Sequence, residues 1–377
     1  MKKTFLALSV MSAFSATAFA QTNVTVYGVI DTAIRYTSNQ VTANGALASQ
    51  TAMTEGAFQG SRIGFKGTED LGGGTAAFFQ LENGFQSNNG AFDQQGQLFG
   101  RQAFVGLKNS NLGQLTIGRQ YGLAFETLGN YDPLGIGNFV ENEWSAFLYG
   151  IRFDNTVKYT HNFGPVTAAL QYSLGEQAGQ NSIGSTVAGA LAYTQGTFSI
   201  GGIYQQSKDA NAAEMKLGGV GTSFGVGPAT LYLQYFQAKR DPGFQKAASN
   251  SGGALANTSM ISNAGNVLRR TDGVLTTGVL YQATPALGFT LGYMYDQIKN
   301  VSSAGVNGRI ASLYAVADYN LSKRTDVYFE IDKTSLGGGE IQDQNGVMPF
   351  AGSSLGAGAS NAASSRTGVG IGLRHHF

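Results

Sequence analysis

The 377-residue chain has no cysteine, six prolines, three histidines and one tryptophan. Without cysteine there is no disulfide framework and no thiolate metal site. Charge is scarce: Lys, Arg, Asp and Glu make up 12% of the residues, and the net charge is +1. No basic block stands out, which argues against nucleic acid as a partner. No apolar run long enough for a transmembrane helix occurs after residue 20. What is plentiful is glycine (54), phenylalanine (24) and tyrosine (17). This composition leaves a large soluble β protein or a membrane β-barrel, whose alternating strands give a weak hydropathy signal.

The first twenty residues read as a secretory signal. Lys2 and Lys3 precede an apolar stretch from Phe5 to Phe14, and Ala18-Phe19-Ala20 places small residues where a signal peptidase cuts. The expected organisation is a signal peptide over 1–20 and one barrel over 21–377. Export without cysteine fits a bacterial envelope protein that does not rely on oxidative folding.

Period-two alternation runs through the rest. Val24, Val26, Ile30 and Ile34 share one face of a strand whose other face carries Asp31 and Arg35. Ile63 and Phe65 alternate with Arg62 and Lys66, and Phe289, Leu291, Tyr293 and Tyr295 with Thr290, Gly292, Met294 and Asp296. Val369, Ile371, Leu373 and Phe377 close the chain on one parity. Connections alternate in length. Short turns are expected at 67–74, 109–113, 163–165, 195–197, 225–228, 283–287 and 321–324. Long loops are expected at 37–60, 86–98, 121–151, 175–186, 207–214, 239–272, 299–308 and 335–364. These join sixteen strands, and a spanning strand needs about 9–11 residues. Short turns on one side and long loops on the other predict an all-β, 16-stranded antiparallel transmembrane β-barrel.

Local motifs then carry a resemblance. Val26-Tyr27-Gly28-Val29-Ile30-Asp31, Ser61-Arg62-Ile63-Gly64-Phe65-Lys66-Gly67-Thr68-Glu69-Asp70-Leu71-Gly72, Phe99-Gly100-Arg101-Gln102-Ala103-Phe104-Val105-Gly106-Leu107, Thr116-Ile117-Gly118-Arg119-Gln120-Tyr121 and Arg152-Phe153-Asp154-Asn155-Thr156-Val157-Lys158-Tyr159 are similar to strands of the general porins of β-proteobacteria, the neisserial and Burkholderia-like group. The resemblance implies a homotrimer in the bacterial outer membrane, a water-filled pore in each subunit and an inward-folded third loop. The implied surroundings are outer-membrane lipid and lipopolysaccharide, the barrel-assembly machinery, and small hydrophilic solutes and ions. The terminal Phe377 resembles the assembly signal of such barrels.

Candidate constriction residues follow from parity. If Ile63, Phe65, Phe153, Val157 and Tyr159 face outward, then Arg62, Lys66, Arg152 and Lys158 face the lumen; an outward Arg near mid-bilayer would cost roughly 2–4 kcal/mol. Arg101 joins this basic wall by resemblance, although strict alternation gives it the outward parity of Val105 and Leu107. Arg119 has the same conflict and stays unassigned. The segment 122–151 is too long for an ordinary hairpin. Its charges are Glu126, Asp132, Glu141 and Glu143, so it reads as an acidic loop facing the basic wall. Charge rings tune which ion passes, and the strand-borne cations tilt the expectation weakly to anions.

Chemistry finds little support. A Ser-His-acid arrangement needs a positioned His, and no G-x-S-x-G pattern accompanies His161, His375 or His376. Gly72-Gly73-Gly74 lacks the Lys-Ser/Thr of a phosphate loop. No metal-loop spacing is present, so neither metal nor cofactor is expected. Trp144 reads as a packing anchor, with a sugar-stacking platform as the alternative.

Overall fold

The computed structural model describes residues 23–42, 46–339, 349–350, 353–354 and 363–377; the proposed signal segment lies outside them. The first strands are β1 (Asn23–Val41), β2 (Leu47–Glu55), β3 (Arg62–Gly72), β4 (Thr75–Gly84), β5 (Gln102–Asn109) and β6 (Gly113–Tyr121). Helices α1 (Leu123–Gly129) and α2 (Val140–Glu143) follow, then a 3-10 turn at Trp144–Leu148. Next come β7 (Arg152–Phe163), β8 (Val166–Ser173), β9 (Thr186–Gln195), β10 (Phe198–Lys208), β11 (Glu214–Val226) and β12 (Ala229–Arg240). The last long strands are β13 (Arg270–Gln282), β14 (Leu287–Lys299), β15 (Gly308–Asn320), β16 (Thr325–Gly338) and β19 (Ser365–His376). Two-residue pieces β17 (Pro349–Phe350) and β18 (Ser353–Ser354) pair only with each other.

From β3 onward each long strand pairs antiparallel with the next, and β19 closes on β1 from Val29↔His376 to Thr37↔Gly368. β2 and β3 share one neighbour. β1 pairs with β3 over Asn23–Val29 and with β2 over Thr32–Val41. They are two pieces of one spanning strand, so the sheet is a closed barrel of sixteen strands. Closure removes every edge within the bilayer, where an unpaired N–H or C=O has no water to bond.

The alternation is inverted relative to a soluble protein. Val24, Val26, Ile30 and Ile34 are 43–54% exposed, whereas Asp31 between them is fully buried. Phe289, Leu291, Phe329, Ile331, Ile371 and Leu373 are likewise exposed, while Asp296, Glu330, Asp332 and Arg366 are buried. An apolar outer band around a polar lumen is the arrangement a lipid environment selects.

All seven short turns fall within their expected spans, the first narrowed to 73–74 because residues 67–72 belong to β3. The first long loop does not. Residues 37–41 and 47–55 continue the β1–β2 ladder, and beyond it Thr42 N donates to Ala46 O at 2.8 Å. The Ser-, Thr- and Gln-rich composition concealed a strand pair. β1 is 19 residues long, more than a bilayer crossing needs. The break at 56–61, between β2 and β3, is held by Asp31. Its carboxylate accepts from Phe58 N (3.2 Å), Gln59 N (3.0 Å) and the Tyr328 hydroxyl (2.7 Å). A Cβ on Gly56 would lie 1.6 Å from Asp31 Oδ1, so the residue facing that carboxylate has no side chain.

Candidate functional site

The segment between β6 and β7 touches lumen-facing positions of distant strands. The Tyr131 ring lies against Gly201 and Gly221, and Pro133 against Gly278. Trp144 Nε1 donates to Ser312 Oγ at 3.2 Å, and the indole is fully buried. Trp144 is therefore a packing anchor, with no face free for a sugar. Leu123, Ala124, Leu128, Phe139 and Leu148 join Ile203, Leu217, Phe236 and Tyr314 in one buried apolar cluster. The segment thus packs on the β8–β16 side of the barrel. Asn138 ties it to the strand break, its N–H donating to Ala57 O (2.8 Å) and its amide to Gly56 O (3.1 Å).

A second long connection, 241–269, fastens the end of this segment. Ile151 N donates to Thr258 O and Ile261 N to Phe147 O, both at 2.9 Å. From the wall, Arg240 donates to Leu148 O (2.5 Å) and Gln205 to Tyr149 O (2.8 Å).

The uncovered wall is β3–β7, and there the basic residues converge. One cavity of about 500 Å³ is lined by Arg62, Arg101, Tyr121 and Arg152 from the wall, and by Glu126, Asn138 and Glu143 from the facing segment. Glu82 serves two of the arginines. It accepts from Arg101 Nε at 2.8 Å, and Arg62 Nε lies 3.8 Å away. Arg101 NH2 and Arg152 NH2 both donate to the Tyr121 hydroxyl, at 2.7 and 3.0 Å. The Arg152 guanidinium stacks over the Tyr121 ring, 4.6 Å from its centroid. Among the described residues no carboxylate comes within ion-pair distance of Arg152. Arg62 also donates to Gln59 Oε1 at 2.5 Å.

Below lies a second cavity of about 630 Å³ toward the short turns, lined by Asp70, Lys108, Lys158 and His161 among others; Glu126 lines both cavities. Lys158 Nζ contacts both Glu126 carboxylate oxygens at 2.8 Å. The ion pair therefore stands at the junction. Lys66 is exposed and sits over the Tyr27 ring at 5.1 Å.

Not every expected residue joins this group. Asp132 is 4% exposed and lines neither cavity. Its Oδ1 accepts from Leu134 N (2.9 Å) and Ile136 N (3.0 Å), so it organises the turn of its own segment. Glu141 lies in α2, its side chain outside the described residues. Glu143 is half-buried, and burial pushes its carboxyl up to about 7.

Two departures from alternation explain what the sequence pattern could not assign. Arg101 precedes β5, so the strand's parity does not apply to it. A bulge between Gly118/Gln120 on β6 and Phe153/Thr156 on β7 shifts the register. Asn155 adopts φ 53° there. Phe153, expected outward, is 1% exposed as a result, and adjacent Arg152 is buried as well. Arg119 is buried at the same bulge. It bonds Gly100 O (2.7 Å), Asp154 Oδ1 (2.6 Å) and Asn257 O (3.3 Å), pinning β6 to β7 and to the 241–269 connection.

A closed barrel with an apolar outer band and a charged lumen is the architecture of an outer-membrane porin. The chain matches the Gram-negative porin family over residues 7–339 and belongs to it. It is 30% identical to outer membrane porin protein 32 of Delftia acidovorans, over all of both chains. It is 36% identical to an outer membrane porin protein of Bordetella pertussis over 251 residues, which cover 60% of this chain and 65% of that protein. Among solved structures, the anion-selective porin from Comamonas acidovorans superimposes with a TM-score of 0.71 at 24% identity, over 95% of this chain and 100% of that one. The protein is an outer-membrane porin, a multi-pass β-barrel.

Proposed function

We propose that this porin is an open, diffusive channel for small hydrophilic solutes and ions, with a weak preference for anions, and that it does no chemistry. The observation carrying this reading is the unequal pairing at the narrow cavity. Of three arginines there, Arg62 and Arg101 share the wall carboxylate Glu82, and Arg152 has no carboxylate within ion-pair distance among the described residues. On the opposite side Lys158 engages Glu126 and burial favours the neutral form of Glu143. The excess positive charge is on the wall, and a lumen edged by fixed cations favours anions. Segment 122–151 is the inward-folded constriction; its charged contributors are Glu126 and Glu143, with Lys66 in the wider lumen.

The working assembly is a homotrimer in a membrane containing lipopolysaccharide, reached through the barrel-assembly machinery after removal of residues 1–20. Phe377 is the assembly signal. It is outward and 43% exposed, its ring covers Gly28, and its backbone exchanges hydrogen bonds with that glycine (3.1 and 3.2 Å). Phe377→Ala should slow insertion without changing the conductance of barrels that assemble.

The test is conductance in a planar bilayer under a salt gradient. Ohmic steps arriving in groups of three, with a reversal potential on the anion side, are expected. A folded barrel that conducts nothing overturns the channel, and a reversal potential on the cation side overturns the selectivity.

A further inference from the structure

Register separates the two faces of β3–β6. Val105 and Leu107 of β5 are 57% and 50% exposed on the outer face, so Phe104 and Lys108 face the lumen. Phe79 pairs with Val105 and shares its outward face, which leaves Phe78 and its partner Gly106 inside. Phe65 pairs with Leu81 on the outside, which leaves Lys66 and its partner Gln80 inside. The uncharged inward positions of this wall are otherwise small or polar, as at Thr68, Ala76, Gln80 and Thr116. Phe78 and Phe104 are the large apolar side chains among them, and both are half-buried. A wall that only carries water and ions has no use for them.

The two rings meet edge to face, with centroids 6.1 Å apart and planes at 80°. Packing accounts for one of them. Phe78 lies over Gly106, where an added Cβ would come within 2.7 Å of its ring, as aromatics cover glycines across a ladder. Phe104 does no such service: a Cβ on its partner Gly118 would meet the Phe104 Cα and Cβ, not the ring. Lysines frame the pair. Lys108 Nζ stands 5.5 Å from the Phe78 centroid, and Lys66 Nζ 5.1 Å from that of Tyr27. Lys66 and Phe104 are cross-strand partners of the same residue, Gln80. Both lysines are exposed, and neither has a carboxylate within ion-pair distance among the described residues. Lys108 also lines the lower cavity. An ammonium held over a ring face keeps N–H donors for an anion on its other side.

We infer that Phe78, Phe104, Lys66 and Lys108 form a holding site for aromatic carboxylates on the short-turn side of the constriction. The ligand ring joins the Phe78–Phe104 pair by offset or edge-to-face stacking. Its carboxylate takes a charge-assisted hydrogen bond from Lys108, and Lys66 adds positive charge on the other flank. An aliphatic carboxylate of the same size and charge gains only the ionic part. A site inside a channel must also release what it holds, and two half-buried rings with water-exposed lysines hold weakly. The inference deepens the open-channel reading and rests on it for transport, although occupancy of the site does not require current.

The probes are benzoate and cyclohexanecarboxylate, which share charge and approximate size and differ in the π-system. Each is titrated against the potassium chloride current of the whole protein in a planar bilayer. Benzoate should halve the current at a concentration about fivefold lower than cyclohexanecarboxylate, the margin one stacked ring provides. The F78L/F104L double variant keeps apolar bulk and removes both rings. It should carry the same chloride current as wild type and lose the gap between the two acids. Phe104→Leu alone, the milder change, should narrow the gap. Lys108→Gln should weaken both acids alike. Saturation-transfer NMR of benzoate with the folded protein in detergent reads occupancy without current. Binding there that is lost in F78L/F104L, in a protein that conducts nothing, would overturn the open channel and leave the site standing. Equal potency of the two acids, or a gap that survives in the variants lacking the rings, would overturn the site.

Discussion

Arg152 is the narrow cavity's most direct test of selectivity, since among the described residues it has no carboxylate within ion-pair distance. Replacing it with Gln removes one cation from the passage and leaves the Tyr121 contact largely intact. An effect of about 0.5–1 kcal/mol is expected for one partly screened charge. That is roughly a two- to fivefold fall in anion-over-cation permeability, read from the reversal potential. Glu143 adds a pH dependence. Its carboxyl ionises near 7, so above that pH it places a negative charge beside Arg152, and below it the charge is lost. Anion preference should therefore rise as pH falls through about 7, and Glu143→Gln should abolish the step. Parity alone put Arg62 and Lys158 in the lumen, because an Arg or Lys on the lipid face is so costly. It could not handle Arg101, which precedes its strand, or Arg119 and Phe153, which flank a bulge. Asp132 was misleading for a different reason: composition shows a charge but not that two backbone N–H groups of its own turn consume it.

At the scale of elements, the broken second strand and the packed segment are the vulnerable parts. Asp31→Ala strips the partners from Phe58 N, Gln59 N and the Tyr328 hydroxyl. Each unpaired buried group costs about 1–3 kcal/mol, so the urea midpoint of the folded barrel should fall clearly, with a loss of about 3 kcal/mol or more. Trp144→Ala should weaken docking of 122–151 by about 3–5 kcal/mol. Because the barrel ladder is untouched, the expected sign is a noisier open level in single-channel records, with the global melting temperature little changed. Strands with one apolar face were plain in the sequence. The β1–β2 extension was not, because both faces turn polar once a ladder leaves the lipid. The fastening of 122–151 by residues 241–269 was also hidden, since backbone-to-backbone bonds such as Ile151 to Thr258 leave no signature in side chains.

For the molecule as a whole, the strand count, the closure and the asymmetry of the connections were legible because lipid permits few alternatives. The cross-section was not. The 122–151 segment lies against β8–β16, which leaves the two cavities along β3–β7, and the cations that line them all come from that wall. Shortening 241–269 should leave the barrel folded while loosening the constriction, seen as a broader distribution of conductance levels than in the full chain.

The hairpin of β1 and β2 has a practical use. β2 is laddered to β1 alone among the described residues, out to Val41↔Leu47, and that end of the ribbon is clear of the residues that line the two cavities. A short peptide tag spliced in between Val41 and Leu47 would be carried on a stiff mast rather than a slack tether. It would let antibodies count correctly assembled barrels on intact cells without altering the current through them.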